Sequence, residues 1–65
     1  MKLNRWYKVW HYHGEYYVKP YERYGPAAFL VYIYDKQISK ITTTVISEQY
    51  CEFVMELSSL EQELL

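Results

Sequence analysis

Ser47-Glu48-Gln49-Tyr50-Cys51-Glu52-Phe53-Val54-Met55-Glu56-Leu57-Ser58-Ser59-Leu60-Glu61-Gln62-Glu63-Leu64 is the stretch on which the fold turns. Tyr50, Phe53, Val54, Leu57, Leu60 and Leu64 recur at spacings of three and four, the period of one helix face. Ser47 suits an N-cap, and Glu48 stands where the helix dipole favours a carboxylate. Glu48, Glu52, Glu56, Ser59 and Glu63 fall on the opposite side and make an acidic helix face. The spacing predicts a helix over residues 47–64, about 27 Å long at 1.5 Å per residue. That is long enough to lie across one face of a small sheet.

Everything upstream reads as extended chain. Residues 5–12 and 15–22 are rich in Trp, Tyr and Val and are separated by His13-Gly14, a tight-hairpin signal. Tyr24-Gly25-Pro26 breaks the chain again. Residues 27–34 form a nearly all-apolar run. After the polar Asp35-Lys36-Gln37, residues 38–46 are dominated by β-branched side chains. The expected fold is therefore α+β, a four-stranded antiparallel β-meander followed by one C-terminal helix packed on one sheet face. The chain is short enough to be a single domain, residues 1–65.

Because strand residues alternate between faces, the turns can be tested for a consistent partition. A two-residue turn at His13-Gly14 sets Val9 against Val18 and Tyr7 against Pro20. A four-residue loop at 23–26 sets Val18 against Val31, and a three-residue turn at 35–37 sets Ile41 against Val31. One face then holds Tyr7, Val9, Val18, Phe29, Val31, Ile33, Ile41 and Val45, and the helix should cover it. The other holds Trp6, Lys8, Trp10, Tyr17, Lys19, Tyr21, Leu30, Tyr32, Tyr34 and Lys40, aromatic with lysines interleaved. Pro20 lacks an N–H to give the third strand, so a bulge or gap is expected beside it.

Composition narrows the chemistry. The chain has 65 residues, net charge -1 and 20% aromatic side chains, nine of them Tyr. At 51% hydrophobic it is not a disordered tail. The small net charge hides an asymmetry: Lys2, Arg5, Lys8, Lys19 and Arg23 face only Glu15 and Glu22 in the first 24 residues. The last 19 carry five glutamates and nothing basic. A lone Cys51 cannot close an internal disulfide. No apolar run resembles a signal peptide or reaches membrane-spanning length, so a cytoplasmic protein without membrane attachment is expected. His11, His13 and Glu15 approach a metal-ligand set but lack a fourth member, and no metal is assigned. Both glycines serve turns, leaving no phosphate loop. No catalytic residue and no cofactor are expected.

What remains is a surface. A large open apolar patch marks a contact region, and Tyr, Trp and basic residues are the usual anchors of protein recognition. The expected function is that of a small non-enzymatic binding protein that docks on a larger protein through the sheet face or the acidic helix. Size and character also suit an inhibitor of a host or defence protein, of the phage or mobile-element type. The alternative is a dimeric module for single-stranded nucleic acid, with bases stacked on Trp6, Trp10, Tyr17 and Tyr21 and phosphates neutralised by Lys8 and Lys19. A homodimer is expected in either case, because so short a chain gains much from a second copy covering part of that face.

Overall fold

The computed structural model describes residues 1–11, 14–35 and 39–64. It is a small antiparallel sheet of five strands with a short C-terminal helix: β1 (Tyr7–His11), β2 (Gly14–Arg23), β3 (Ala28–Asp35), β4 (Lys40–Ser47), a 3-10 turn (Glu48–Tyr50), β5 (Cys51–Glu56) and α1 (Ser59–Leu64). The strand order is β4-β3-β2-β1-β5. The four-strand meander is present, but the long helix over 47–64 is not. Its first half is a 3-10 turn and an edge strand, and only its end is helical. Pairing with β1 decides this: Tyr7, Lys8, Val9 and Trp10 align with Glu56, Met55, Val54 and Phe53. Backbone hydrogen bonding to a waiting edge overrides a three-four spacing that would otherwise suit a helix.

The 3-10 turn forces the sheet to coil. Ser47 is level with Ala28 and, through the bond from the Tyr24 N–H to the Ala28 carbonyl, with Tyr24. Cys51 is level with His11 and thus with Gly14. On a flat sheet Gly14 and Tyr24 would stand roughly 33 Å apart along the strand, and β4 and β5 about 19 Å apart across it. Four residues reach at most about 14 Å. The strands must therefore tilt and wrap so that β5 follows directly on β4, the geometry of a partly closed barrel.

The coil supplies its own core. Tyr7, Val9, Val18, Phe29, Val31 and Ile46 form one buried cluster, with Met1, Tyr16, Ile33 and Cys51 packed against it. All these strand residues lie on the inward face, which the wrapped sheet covers in place of a helix. Arg23 closes one end, its guanidinium 5.2 Å from the Phe29 ring centroid.

Two turns differ from expectation without disturbing the faces. The observed hairpin sets Tyr7 against Val18 and Val9 against Tyr16, and Val18 against Ile33 on the next strand. Each is a slip of two residues, which preserves the side on which every residue stands. The expected turn residue His13 lies outside the described residues. Gly14 belongs to β2, and a Cβ there would meet the Tyr16 hydroxyl at 2.7 Å. Its role is close approach to that ring. The bulge expected beside Pro20 is present: Pro20 pairs with Val31 but Glu22 with Leu30, leaving Tyr21 as the extra residue. In the loop that follows, Gly25 has φ +89, a conformation that glycine takes without steric cost.

The third turn changes the outcome. Phe29 pairs with Ile46, Val31 with Thr44, Ile33 with Thr42 and Asp35 with Lys40. This register is an odd number of residues from the expected one, so β4 is inverted. Ile41 and Val45, expected in the core, stand on the outward face with 53% and 48% of their surface exposed, while Ile46 is buried at 2%. Ile46→Ala is accordingly expected to cost about 3 kcal/mol of unfolding free energy, and Ile41→Ala less than about 1 kcal/mol. Urea denaturation of the two variants checks this; equal losses would mean that β4 sits in the other register.

Candidate binding surface

The outward, convex face brings together most of the expected surface. Lys8 and Trp10 stand on β1, and Tyr17, Lys19 and Tyr21 on β2. Leu30, Tyr32 and Tyr34 follow on β3. Tyr21, freed by the bulge, lays its ring against Tyr32 with centroids 4.6 Å apart at a 35° tilt. The odd register of β4 adds Ile41, Thr43 and Val45. Strand β5 adds Phe53 and Met55 opposite Trp10 and Lys8. Ile41, Val45, Tyr32, Phe53 and Met55 are all exposed. Each of the five strands thus places at least one large apolar or aromatic side chain on this face.

Two expected members are elsewhere. Lys40 pairs with Asp35 and shares the inward side of β4 with Thr42 and Thr44, at an exposed end. Trp6 is buried, with 6% of its surface exposed. It precedes β1 and is enclosed at the C-terminal end of the chain. The Gln62 side-chain amide behaves like a paired strand residue: Oε1 accepts the Trp6 N–H at 2.6 Å, and Nε2 donates to the Trp6 carbonyl at 2.8 Å and the Leu57 carbonyl at 3.2 Å. The Leu57 N–H donates to the same Trp6 carbonyl, and Leu57 is itself buried. Trp6 is therefore structural, and α1 exists to hold it.

Electrostatics sort the face further. Lys8 forms an ion pair with Glu15 at 3.6 Å, and the Lys19 ammonium lies 6.0 Å from the Trp6 ring centroid. Both lysines of this face thus have partners within the fold. The acidic residues do not make one helix face. Glu48, in the 3-10 turn, accepts from the Met1 ammonium at 2.6 Å. Glu56, on β5, accepts from the Tyr7 hydroxyl at 3.1 Å and from Arg5 at 3.4 Å. Glu61 and Ser58 form a reciprocal capping box at the start of α1, through Ser58 N–H to Glu61 Oε1 and Glu61 N–H to Ser58 Oγ. That bonding holds the Glu61 carboxyl below its ordinary value. Glu52 is exposed on β5, at its bulge against β1, and Glu63 is exposed on α1.

No group of three or more metal-ligating side chains comes together among the described residues. Cys51 is half-buried, its Sγ 3.8 Å from the Ser47 carbonyl. Burial first, and then Glu48, pushes its thiol above the ordinary value. A thiol so protonated is a poor nucleophile. Among the described residues no helix is long and apolar enough to cross a membrane. The chain matches no protein-family model, no curated protein and no solved structure.

Two measurements probe these contacts. Gln62→Ala leaves the Trp6 N–H without its partner and is expected to cost about 1–3 kcal/mol, with a red shift of Trp fluorescence as α1 loosens; an unmoved spectrum would mean that Trp6 is held by other contacts. The Tyr7 hydroxyl is raised above the ordinary tyrosine value, chiefly by burial and then by Glu56, against the lowering effect of the Lys2 N–H. The unfolded chain therefore loses this proton first, at about pH 10. Tyr7 contributes stability below that pH which is lost as the pH rises through it. Urea midpoints between about pH 9 and pH 11 should fall more steeply for the wild type than for Tyr7→Phe.

Proposed function

We propose that this chain is a small non-enzymatic binding protein of the cytoplasm whose convex sheet face docks on a larger protein. The observation that carries the reading is the exposure of Tyr32 on β3, Ile41 and Val45 on β4, and Phe53 and Met55 on β5, on the side away from the core. Exposed apolar surface of this kind favours burial against a partner. Tyr17, Tyr21, Tyr34 and Trp10 stand beside it, half-buried, as rigid rings that gain contact area at low entropy cost. Inhibition of a host or defence protein is one form that such docking takes.

Single-stranded nucleic acid is the second reading, favoured by the Tyr21–Tyr32 ring pair and by Trp10. It lost three elements when the chain was folded: Trp6 is buried, Lys40 stands on the other side, and Lys8 and Lys19 have intramolecular partners. Phosphate neutralisation would have to break the Lys8–Glu15 pair.

Affinity capture from the source cell, with and without nuclease, followed by Phe53→Glu combined with Met55→Glu, tests the protein reading. The captured protein is expected to survive nuclease and to be lost by about tenfold or more in the variant, whose folding is verified by circular dichroism. Capture that nuclease abolishes, together with oligonucleotide binding that weakens steeply with salt and fails in Trp10→Ala, would establish the second reading instead.

A further inference from the structure

We infer that the free edge of β4 pairs antiparallel with β4 of a second copy of this chain, about a two-fold axis at Thr43. Among the described residues, strand β4 is hydrogen-bonded to β3 alone, and β5 stands at the other edge of the sheet. Every second residue of an edge strand turns its N–H and C=O outward. An open groove of about 620 Å³ runs beside the strand on its inward side, lined by Thr42–Ile46 and by His11, Gly14, Tyr16 and Ile33. Thr43 and Val45 belong to the outward face, Thr42, Thr44 and Ile46 to the inward one.

The strand itself specifies the occupant. Natural edges are blunted by charge, proline or brevity. Here Ile41 to Ser47 carries no charge and no proline, and β4 runs for eight residues. Its pattern is also symmetric. Any pairing centred on a residue matches residues of one face; what is particular to Thr43 is that the matched residues are alike in kind. Ile41 meets Val45 of the second copy and Val45 meets its Ile41, both on the outward face; Thr42 meets Thr44 on the inward face. Cross-strand Thr–Thr pairs can hydrogen-bond, which favours the Thr42–Thr44 and Thr43–Thr43 matches. The interface is isologous, as a closed dimer requires. Lys40 falls opposite Ile46 of the second copy, and no like charges meet along the strand. Ile41 and Val45, exposed by the odd register of β4, each gain a neighbour. A strand from an unrelated protein could use the same edge, but nothing in that case calls for the symmetry about Thr43.

Sedimentation equilibrium of the full chain tests the pairing. The wild type is expected to reach twice its 8.0 kDa mass. Thr43 is exposed, so Thr43→Lys and Thr43→Glu leave the monomer fold intact by circular dichroism, yet set like charges together at the axis. Each alone is expected to raise the dimer Kd by about tenfold or more. Mixed in equal amounts, the two should recover a dimer at wild-type concentrations. Phe53→Glu, on the opposite edge strand, should leave dimerisation unchanged, which separates this inference from docking on the convex face. A wild type that is monomeric at every concentration overturns the pairing, as do Thr43 variants that dimerise normally alone or dimers that Phe53→Glu abolishes.

Discussion

The connection from Ser47 to Cys51 governs the molecule. Three residues of 3-10 helix join strands at opposite edges of the sheet and at opposite ends of it. That distance can be closed only if the sheet coils, and coiling decides which side is inside. Once it is coiled, the inward face needs no helix to cover it, since Phe29, Val31, Val18 and Val9 meet across the interior. The bulges at Tyr21 and Glu52 give the local bend and added twist that a strand needs to turn the corner of a small barrel. Met1 packs against this core, and the Arg23 guanidinium lies over the Phe29 ring.

The polar residues of the C-terminal third follow from the same closure. A barrel of five short strands has little room for unsatisfied backbone, and its ends must be sealed by side chains. Gln62 supplies to Trp6 both a donor and an acceptor, as a sixth strand would. Glu56 meets the Tyr7 hydroxyl at a partly buried position, and Glu48 receives the Met1 ammonium. Glutamates that look like a solvated stripe in the linear sequence are thus distributed among distinct structural tasks. Three of the five, Glu48, Glu56 and Glu61, are engaged by hydrogen bonds within the fold.

Much of this was legible from period-two alternation, and the failures have identifiable causes. Alternation puts Tyr7, Val9, Val18, Phe29 and Val31 on the core side, where the structure has them, and the two-residue slips at the first two turns leave this intact because an even slip keeps every side chain on its face. Ile41, Val45 and Lys40 were misplaced because the slip at the third turn was odd. The run Ile38–Ile46 is β-branched on both sides and does not itself say which is inside. Residues 47–64 misled for a related reason: an edge strand with apolar residues on both faces gives no clean alternation, so Phe53, Val54 and Leu57 fit a helical spacing equally well. One local signal pointed the other way. Ser58-Ser59-Leu60-Glu61 is a capping-box signature, and it marks a helix starting at residue 59. Trp6 could not be recognised as buried, since its cover comes from Gln62, 56 positions away.

The edge and the face are parts of one surface. The residues of β4 that stand outward, Ile41, Thr43 and Val45, border the edge and belong to the convex face at once. If β4 pairs with its copy, the outward faces of the two protomers join without a break, and Tyr32, on the neighbouring strand, comes within two strands of the axis. The convex apolar face is then doubled, and it is two-fold symmetric. A partner that is itself a two-fold dimer, or one that presents a long apolar strip, would engage both halves together. The second contact becomes intramolecular, so avidity rises without any new contact. In that arrangement dimerisation and docking would reinforce each other, and two copies would use the aromatic excess of this short chain jointly.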